Sequence, residues 1–269
     1  MTLTSKFLAV AVATTLLLGG CKGKDGDPGP AGAPAPVLTG SIVGFVAPLD
    51  ENGQVLSKAG VLVTLANTSP QLAQTTDANG RYEFANVRSG TYNLVFSRAD
   101  LGTYKVFGFS HVGGDQPSIV QGNYYGNSTP LITPSTVSIL NLTAGATGYN
   151  PNGGPYVPID AYFAPNNNNN YFFQEYMLFA STAPGVNSTT GTPLLPSSFS
   201  SGSSNSAVSV RLSKVQLNTA GFLSGTRVYA VAYAVPFYLG YSYTEVTTGR
   251  VVYPALSSNA SPTVSFLVP

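Results

Sequence analysis

A chain of 269 residues, 43% of them hydrophobic, is long enough to bury one large core or two ordinary ones. Only 9% of it is charged, and twelve Lys+Arg stand against eleven Asp+Glu, which excludes the basic patch that nucleic acid needs and any acidic tail. A single cysteine excludes a disulfide framework, a single histidine excludes a zinc site built from several His or Cys, and 29 Gly, 20 Pro, 16 Tyr and 14 Phe without one Trp point to an all-β extracytoplasmic protein.

Residues 1–20 read as an export signal. Lys6 supplies a positive start, and "FLAVAVATTLLL" (7–18) is an apolar run of 12 residues. That is too short for a bilayer core, which needs about 20. Leu18, two small residues and the lone thiol follow as "LGGC", and Gly19 and Gly20 leave room for a peptidase at the backbone. This run resembles the bacterial lipobox. The resemblance implies cleavage between Gly20 and Cys21, a diacylglyceryl group on the Cys21 thiol and a further acyl chain on the new amino group. One acyl chain holds a membrane only marginally, at about 0.8 kcal/mol per buried CH₂, so stable anchoring takes two or more. An ordinary signal peptide with a chance cysteine is the alternative, and the absence of a second cysteine favours the lipobox. "CKGKDGD" (21–27) is similar to export signals of surface-exposed lipoproteins of the Bacteroidetes group. It implies a place in the cell envelope, on the outer membrane and facing outward.

"GKDGDPGPAGAP" (23–34) has glycine at every third position. So few triplets do not make a stable collagen-like trimer, so residues 21–37 read as the lipidated cysteine and a semi-extended Gly/Pro tether. Alternation begins at Gly40. "GSIVGFVAP" (40–48) is a strand, "DENG" (50–53) a turn, and "GVLVTLA" (60–66) a strand with Val61, Val63 and Leu65 on one face. In "TTDANGRYEFANVRSGTYNLVFS" (75–97), Asn79-Gly80 predicts a type I′ hairpin turn, and Asp77 is placed to accept from the turn backbone. Tyr82 and Phe84 share one face, and Tyr92, Leu94 and Phe96 share another. "DANG" also resembles the start of a calcium loop, but the bidentate Glu such a loop needs is missing, and turn chemistry explains it.

Thr76, Asp77, Gly80, Tyr82, Phe84, Gly90, Tyr92 and Leu94 follow the pattern Thr-Asp-x-x-Gly-x-Tyr-x-Phe and Gly-x-Tyr-x-Leu. This stretch resembles the carboxypeptidase regulatory-like domain, and with the flanking strands the likeness covers about residues 38–120. It implies a seven-stranded, transthyretin-like accessory sandwich with no active site of its own. The zinc centre of the peptidase that lends the family its name has no residues here to build it.

Residues 121–131 read as a linker, and a second β-sandwich is expected over 132–269. Its strands are "STVSILNLTA" (135–144), "YVPIDAYFA" (156–164), "YFFQEYMLFAS" (171–181), "AVSVRLSKVQL" (207–217) and "GTRVYAVAYAV" (225–235), with one or two more in 246–257 and 262–269. "NNNNN" (166–170) and "SSFSSGSSNS" (197–206) read as loops. Val228, Ala230, Ala232 and Ala234 alternate with Tyr229, Val231, Tyr233 and Val235, which predicts a central strand covered on both faces. "LSGTRVYAVAYAV" (223–235) is similar to the tyrosine corner of fibronectin type III domains, with the tyrosine one residue late and the usual tryptophan absent. The expected fold is therefore all-β, two tandem antiparallel sandwiches behind a signal peptide and a tether.

Chemistry is sparse. A serine triad would have to use His111, and no Gly-x-Ser-x-Gly elbow occurs. Asp160 and Glu175 are the one conceivable carboxylate pair, on neighbouring strands. Neither a metal nor a cofactor is expected. Tyrosines in "GNYYGN" (122–127) and "FYLGYSY" (237–243) are the candidate contacts, because Tyr gives rigid amphipathic area in loops: Tyr124, Tyr125, Tyr238, Tyr241 and Tyr243. Packing under the loops is the competing role for the same rings. The expectation is a non-catalytic, membrane-anchored surface lipoprotein with a structural or adhesive role and a protein or polysaccharide ligand. The alternative is a glycan-binding accessory lipoprotein of a nutrient-uptake system.

Overall fold

The computed structural model describes residues 37–164, 175–194, 207–236 and 241–269. The export signal with Gly20 and Cys21, the tether to residue 36, the asparagine run 166–170, the serine-rich 197–206 and Tyr238 lie outside the described residues. The described residues fall within one compact unit, Val37–Pro269. It is nearly all β, with strands paired mostly antiparallel around two hydrophobic cores.

The first core lies between two four-stranded sheets. In one, β1 (Thr39–Leu49) pairs antiparallel with β4 (Arg81–Arg88) and, on its other edge, parallel with β7 (Ser118–Val120) and then β8 (Thr129–Ile132). In the other, β2 (Leu62–Leu65) and β5 (Gly90–Ser97) lie between β3 (Leu72–Thr75) and β6 (Tyr104–His111). The two-residue period buries Val61, Val63 and Leu65 completely, along with Leu94 and Phe96. Opposite them, Tyr82 meets Phe96 and Phe84 edge-on at 5.7 and 6.1 Å between ring centres. Tyr92 is half-buried at the margin of this core and donates from its hydroxyl to the Arg88 carbonyl at 2.8 Å.

The turn before β4 differs from the predicted type I′. Gly80 has φ +80°, but Asn79 is not among the residues with positive φ, so the turn over Asp77–Gly80 is type I with glycine in the left-handed position. The Asp77 carboxylate decides this. It accepts from the backbone N–H groups of Asn79 and Arg81 at 2.8 and 2.9 Å, while Gly80 N–H donates to the Asp77 carbonyl. A Cβ on Gly80 would also lie 2.7 Å from the Val46 carbonyl oxygen, so no larger residue fits. Since β3 and β4 sit in different sheets, the turn carries the chain from one layer to the other.

A second departure concerns 121–131. Its Gly, Asn and Gln content reads as a linker, yet Thr129–Ile132 is strand β8 with all four residues buried. The apolar pair Leu131 and Ile132, flanked by Thr129 and Pro130, gains more from packing beside β1 than from solvent.

The second core also lies between two sheets. β9 (Ile139–Ala144) and β10 (Gly148–Asn150) both pair with β11 (Gly154–Phe163), whose other edge takes β14 (Ala207–Ser213). Facing them run β13 (Thr192–Leu194), β12 (Glu175–Ser181), β15 (Arg227–Val235) and β18 (Val264–Leu267), in that order. β15 is central, as its two apolar faces imply. Val228, Ala230, Ala232 and Ala234 enter the core, while Val231, Tyr233 and Val235 join Met177, Phe179 and Val186 in a cluster on the opposite face. The alternation of 207–217 does not continue to its end. At Ser213 the chain turns into α1 (Lys214–Thr219), because Ser213 and Gln216 form a reciprocal cap. The strand expected in 246–257 shrinks to β17 (Arg250–Val252), in a hairpin with β16 (Tyr243–Glu245). Beyond it the hydroxyls of Ser257 and Ser261 accept from Ala234 and Ala232 N–H, in place of a strand ladder.

Candidate binding surface

The tyrosines singled out in loops are mostly committed to internal packing. Tyr124 and Tyr241 meet edge-on at 6.5 Å and close over Leu49, Ile132 and Ala255. Tyr243, at the start of β16, packs edge-on against Tyr104 at 5.8 Å and near Phe107 at 6.1 Å. Lys105 lies over the Tyr243 and Phe107 rings and donates to the Glu245 carboxylate at 2.7 Å, which raises the ammonium pKa. Burial pushes the Tyr243 and Tyr104 phenols up. All three candidate rings, 124, 241 and 243, are half-buried. Tyr125 begins a short 3₁₀ turn, Tyr125–Asn127, in which Gly126 and Asn127 take positive φ.

The candidate catalytic groups are also accounted for. His111 ends β6 with 2% of its surface exposed. Its Nε2 faces the Val87 carbonyl at 3.1 Å and its Nδ1 faces the Ser118 hydroxyl at 2.8 Å. The carbonyl can only accept, so Nε2 carries the hydrogen and Nδ1 accepts from Ser118. A serine beside a histidine has the parts of a hydrolytic dyad, but this imidazole is closed on both nitrogens and walled off from any substrate. Asp160 and Glu175 do not pair. Ile159 and Ala161 enter the core, so Asp160 leaves the outer face of β11, where its carboxylate accepts from the Ser209 hydroxyl. Tyr176 and Leu178 enter the same core from β12, so Glu175 leaves the far face of the opposite sheet. Only 7% of it is exposed, its Oε2 has no partner among the described residues, and burial raises its pKa to about 7. Among the described residues no three His, Cys, Asp or Glu side chains are grouped to hold a metal ion.

Two surfaces that local composition did not single out remain open. The first is a polar depression of about 440 Å³ on the outer face of the β4–β1–β7 sheet, lined by Thr39, Ser41, Arg81, Glu83, Asn86 and Asp115. Arg81 and then Ser41 hydrogen-bond the Glu83 carboxylate and hold its pKa below the usual range. The second is the outer face of β11 with its neighbours. There Tyr162 stands level with Asn141 and Ala207, Asp160 with Thr143 and Ser209, Pro158 with Arg211, and Tyr156 with Gly148 and Ser213. The Arg211 guanidinium lies 5.1 Å from the centre of the Tyr156 ring, and that ring occupies the space a Cβ on Gly148 would need. The spacing of Tyr156, Pro158, Asp160 and Tyr162 by two was legible in the sequence; which strands flank them was not.

Residues 41–119 match the family model of the carboxypeptidase regulatory-like domain. No curated protein matches the chain. Similar solved structures include a proposed carbohydrate binding protein from Bacteroides uniformis, 18% identical over 84% of this chain and 98% of that one, at a TM-score of 0.29. A DUF3823 family protein from Parabacteroides merdae is 14% identical over 86% of this chain and all (100%) of that one, at a TM-score of 0.26. The major pilin SpaD of Corynebacterium diphtheriae is 11% identical over 85% of this chain and 67% of that one, at a TM-score of 0.25. TM-scores this low carry no argument about what the chain does.

Within residues 41–119, which match that family model, the residues that carry the likeness are used for folding. Thr76 is buried and joins two strands' ends, donating to the Lys58 carbonyl at 2.7 Å and accepting from Val61 N–H at 3.0 Å. Asp77 and Gly80 make the turn, and Tyr82, Phe84 and Leu94 fill the core. The motif therefore specifies a scaffold.

Proposed function

We propose that the chain is a lipoprotein of the cell envelope, held on the outer membrane by acyl chains at Cys21 and facing outward, whose β-sandwich body acts as a non-catalytic structural or adhesive module. One observation carries the reading. His111 is closed by two hydrogen bonds, and Asp160 and Glu175 lie on opposite faces of the two sheets and do not pair, while among the described residues the outer face of β11 with its neighbours presents Tyr, Thr, Ser and Asn. A module of this kind works by presenting surface, and loops and outer faces on a rigid scaffold serve recognition. Among the described residues no helix is long and apolar enough to cross a membrane. Attachment is assigned to acyl chains at Cys21, of which two or more hold a membrane stably. The glycan-binding reading is favoured by the outward row of Tyr156, Asp160 and Tyr162 with Arg211 beside it.

The anchor is tested by metabolic labelling with an alkyne fatty acid and by membrane fractionation of bacteria that express the chain. The wild type is expected to carry label and pellet with membranes, and Cys21→Ser to lose the label and enter the soluble fraction. An unlabelled wild type, or a Cys21→Ser variant still held in membranes, overturns the lipid anchor. Binding of intact cells to immobilised matrix proteins, compared with cells lacking the chain, reads the adhesive role separately.

A further inference from the structure

The outer face of β11 holds four rungs, each two residues from the next, so Tyr156 and Tyr162 stand about 20 Å apart along the strand. Three strands side by side make the strip about 10 Å wide. Its two ends are aromatic. Tyr162 is 40% exposed at one end, and at the other the Arg211 guanidinium lies over the Tyr156 ring. Its middle is polar, with the Asp160 carboxylate oriented by the Ser209 hydroxyl and Thr143 opposite. One carboxylate and one guanidinium leave the strip without net charge, which does not suit a polyanion or nucleic acid. A chain of pyranose rings fits it: each ring has a C–H face that stacks on an aromatic or guanidinium plane and a rim of hydroxyls that bond to carboxylate, amide and hydroxyl groups.

We infer that this strip binds an uncharged polysaccharide laid along β11, with Tyr162 and the Tyr156–Arg211 pair as platforms and Asp160 as acceptor for sugar hydroxyls between them. The inference rests on the reading of the chain as a non-catalytic binding module and gives that module a site and a ligand class. Neither platform is among the loop tyrosines picked out by composition.

The test uses the full chain in detergent, with affinity electrophoresis through gels containing mixed-linkage β-glucan, galactomannan, arabinoxylan, amylopectin or, as a charged comparison, polygalacturonate. Titration calorimetry then gives Kd for whichever retards it. At least one neutral polysaccharide is expected to retard the wild type. Tyr162→Ala and Asp160→Asn are each expected to raise Kd about tenfold or more. Tyr149→Ala, at a residue 71% exposed on the opposite side of the sheet, is expected to leave it unchanged. Tyr156 is half-buried, so Tyr156→Phe, which keeps the ring, serves beside Tyr156→Ala: the alanine variant is expected to raise Kd about tenfold or more, and the phenylalanine variant to raise it less than the alanine variant does. Retardation by polygalacturonate alone, or by none of the five, overturns the inference and leaves the adhesive reading to the matrix-protein assay. Neutral-glycan binding that survives Tyr162→Ala and Asp160→Asn together, in a variant that melts as the wild type does, also overturns it while upholding the binding module.

Discussion

Glu175 is the residue whose place is hardest to reconcile with stability. It is a carboxylate with 7% of its surface exposed, on a face shared with Met177, Phe179 and Val235, and its Oε2 accepts no hydrogen bond from the described residues. Desolvation raises its pKa from 4.5 to about 7. Between these two values the folded chain binds a proton that the unfolded chain has released. The contribution of Glu175 to stability therefore falls as pH rises from about 4.5 to about 7, and is constant on either side. Glu175→Gln removes the ionisation but keeps the shape. The variant is expected to match the wild type near pH 4 and to exceed it by about 1–3 kcal/mol near pH 8, read by urea denaturation at both values. An equal gain at both pH values would show that packing, not charge, sets the difference. Gly80 makes the contrasting case, since both its positive φ and the nearby Val46 carbonyl exclude a side chain, and its place in the turn was legible from Asn79-Gly80 alone. The turn type was not legible, because Asp77 outcompeted Asn79 for control of the backbone.

At the scale of elements, α1 shows why a clean pattern is not a sufficient one. Val208, Val210 and Leu212 alternate inward from β14, and Val215 and Leu217 continue the same apolar rhythm at a shifted spacing. Ser213 ends the strand: its Oγ accepts from Gln216 N–H at 3.2 Å and Gln216 Oε1 accepts from Ser213 N–H at 3.0 Å. Leu217 then turns fully into the core while Val215 stays 68% exposed. Ser213→Ala is expected to cost about 1 kcal/mol, with the loss confined to α1 in amide hydrogen exchange. A variant as stable as the wild type would assign the helix to Leu217 packing alone. The strands themselves were largely legible, because alternation in β2 and β11 matches their one-sided burial and the apolar runs of β1 and β15 match strands covered on both faces. What alternation does not report is partnership. The parallel fit of β8 to β1, and the flanking of β11 by Ser209 and Arg211, follow from register between distant segments. The half-buried places of Tyr124, Tyr241 and Tyr243 were illegible for the same reason, since Tyr243 packs on Tyr104, a neighbour that no local window contains.

At the scale of the whole unit, the two cores are joined by a seam in which each contact crosses a long stretch of chain. Glu51, in the turn after β1, accepts from Thr136 N–H and Oγ1 at 2.7 and 2.6 Å. Lys105 reaches Glu245 at 2.7 Å over the Tyr243 ring. Between these polar ties, Ala255 is buried against Leu49 and Ile132 under Tyr124 and Tyr241, while its carbonyl accepts from Ser135 N–H at 3.1 Å. Exposed ion pairs contribute little, about 0–1 kcal/mol, so the apolar centre of the seam has to carry the coupling. The full chain is accordingly expected to unfold in a single calorimetric transition, with equal calorimetric and van't Hoff enthalpies. Ala255→Asp tests this by placing an unpaired charge where the two cores meet, at a cost of several kcal/mol. If the seam couples the cores, the variant separates the transition into two, because neither core contains residue 255 and each keeps its own packing. A variant that still melts in one transition, at a midpoint lowered by only a degree or two, would mean that the backbone ties of β8 and residue 135 hold the cores together without the seam's apolar centre.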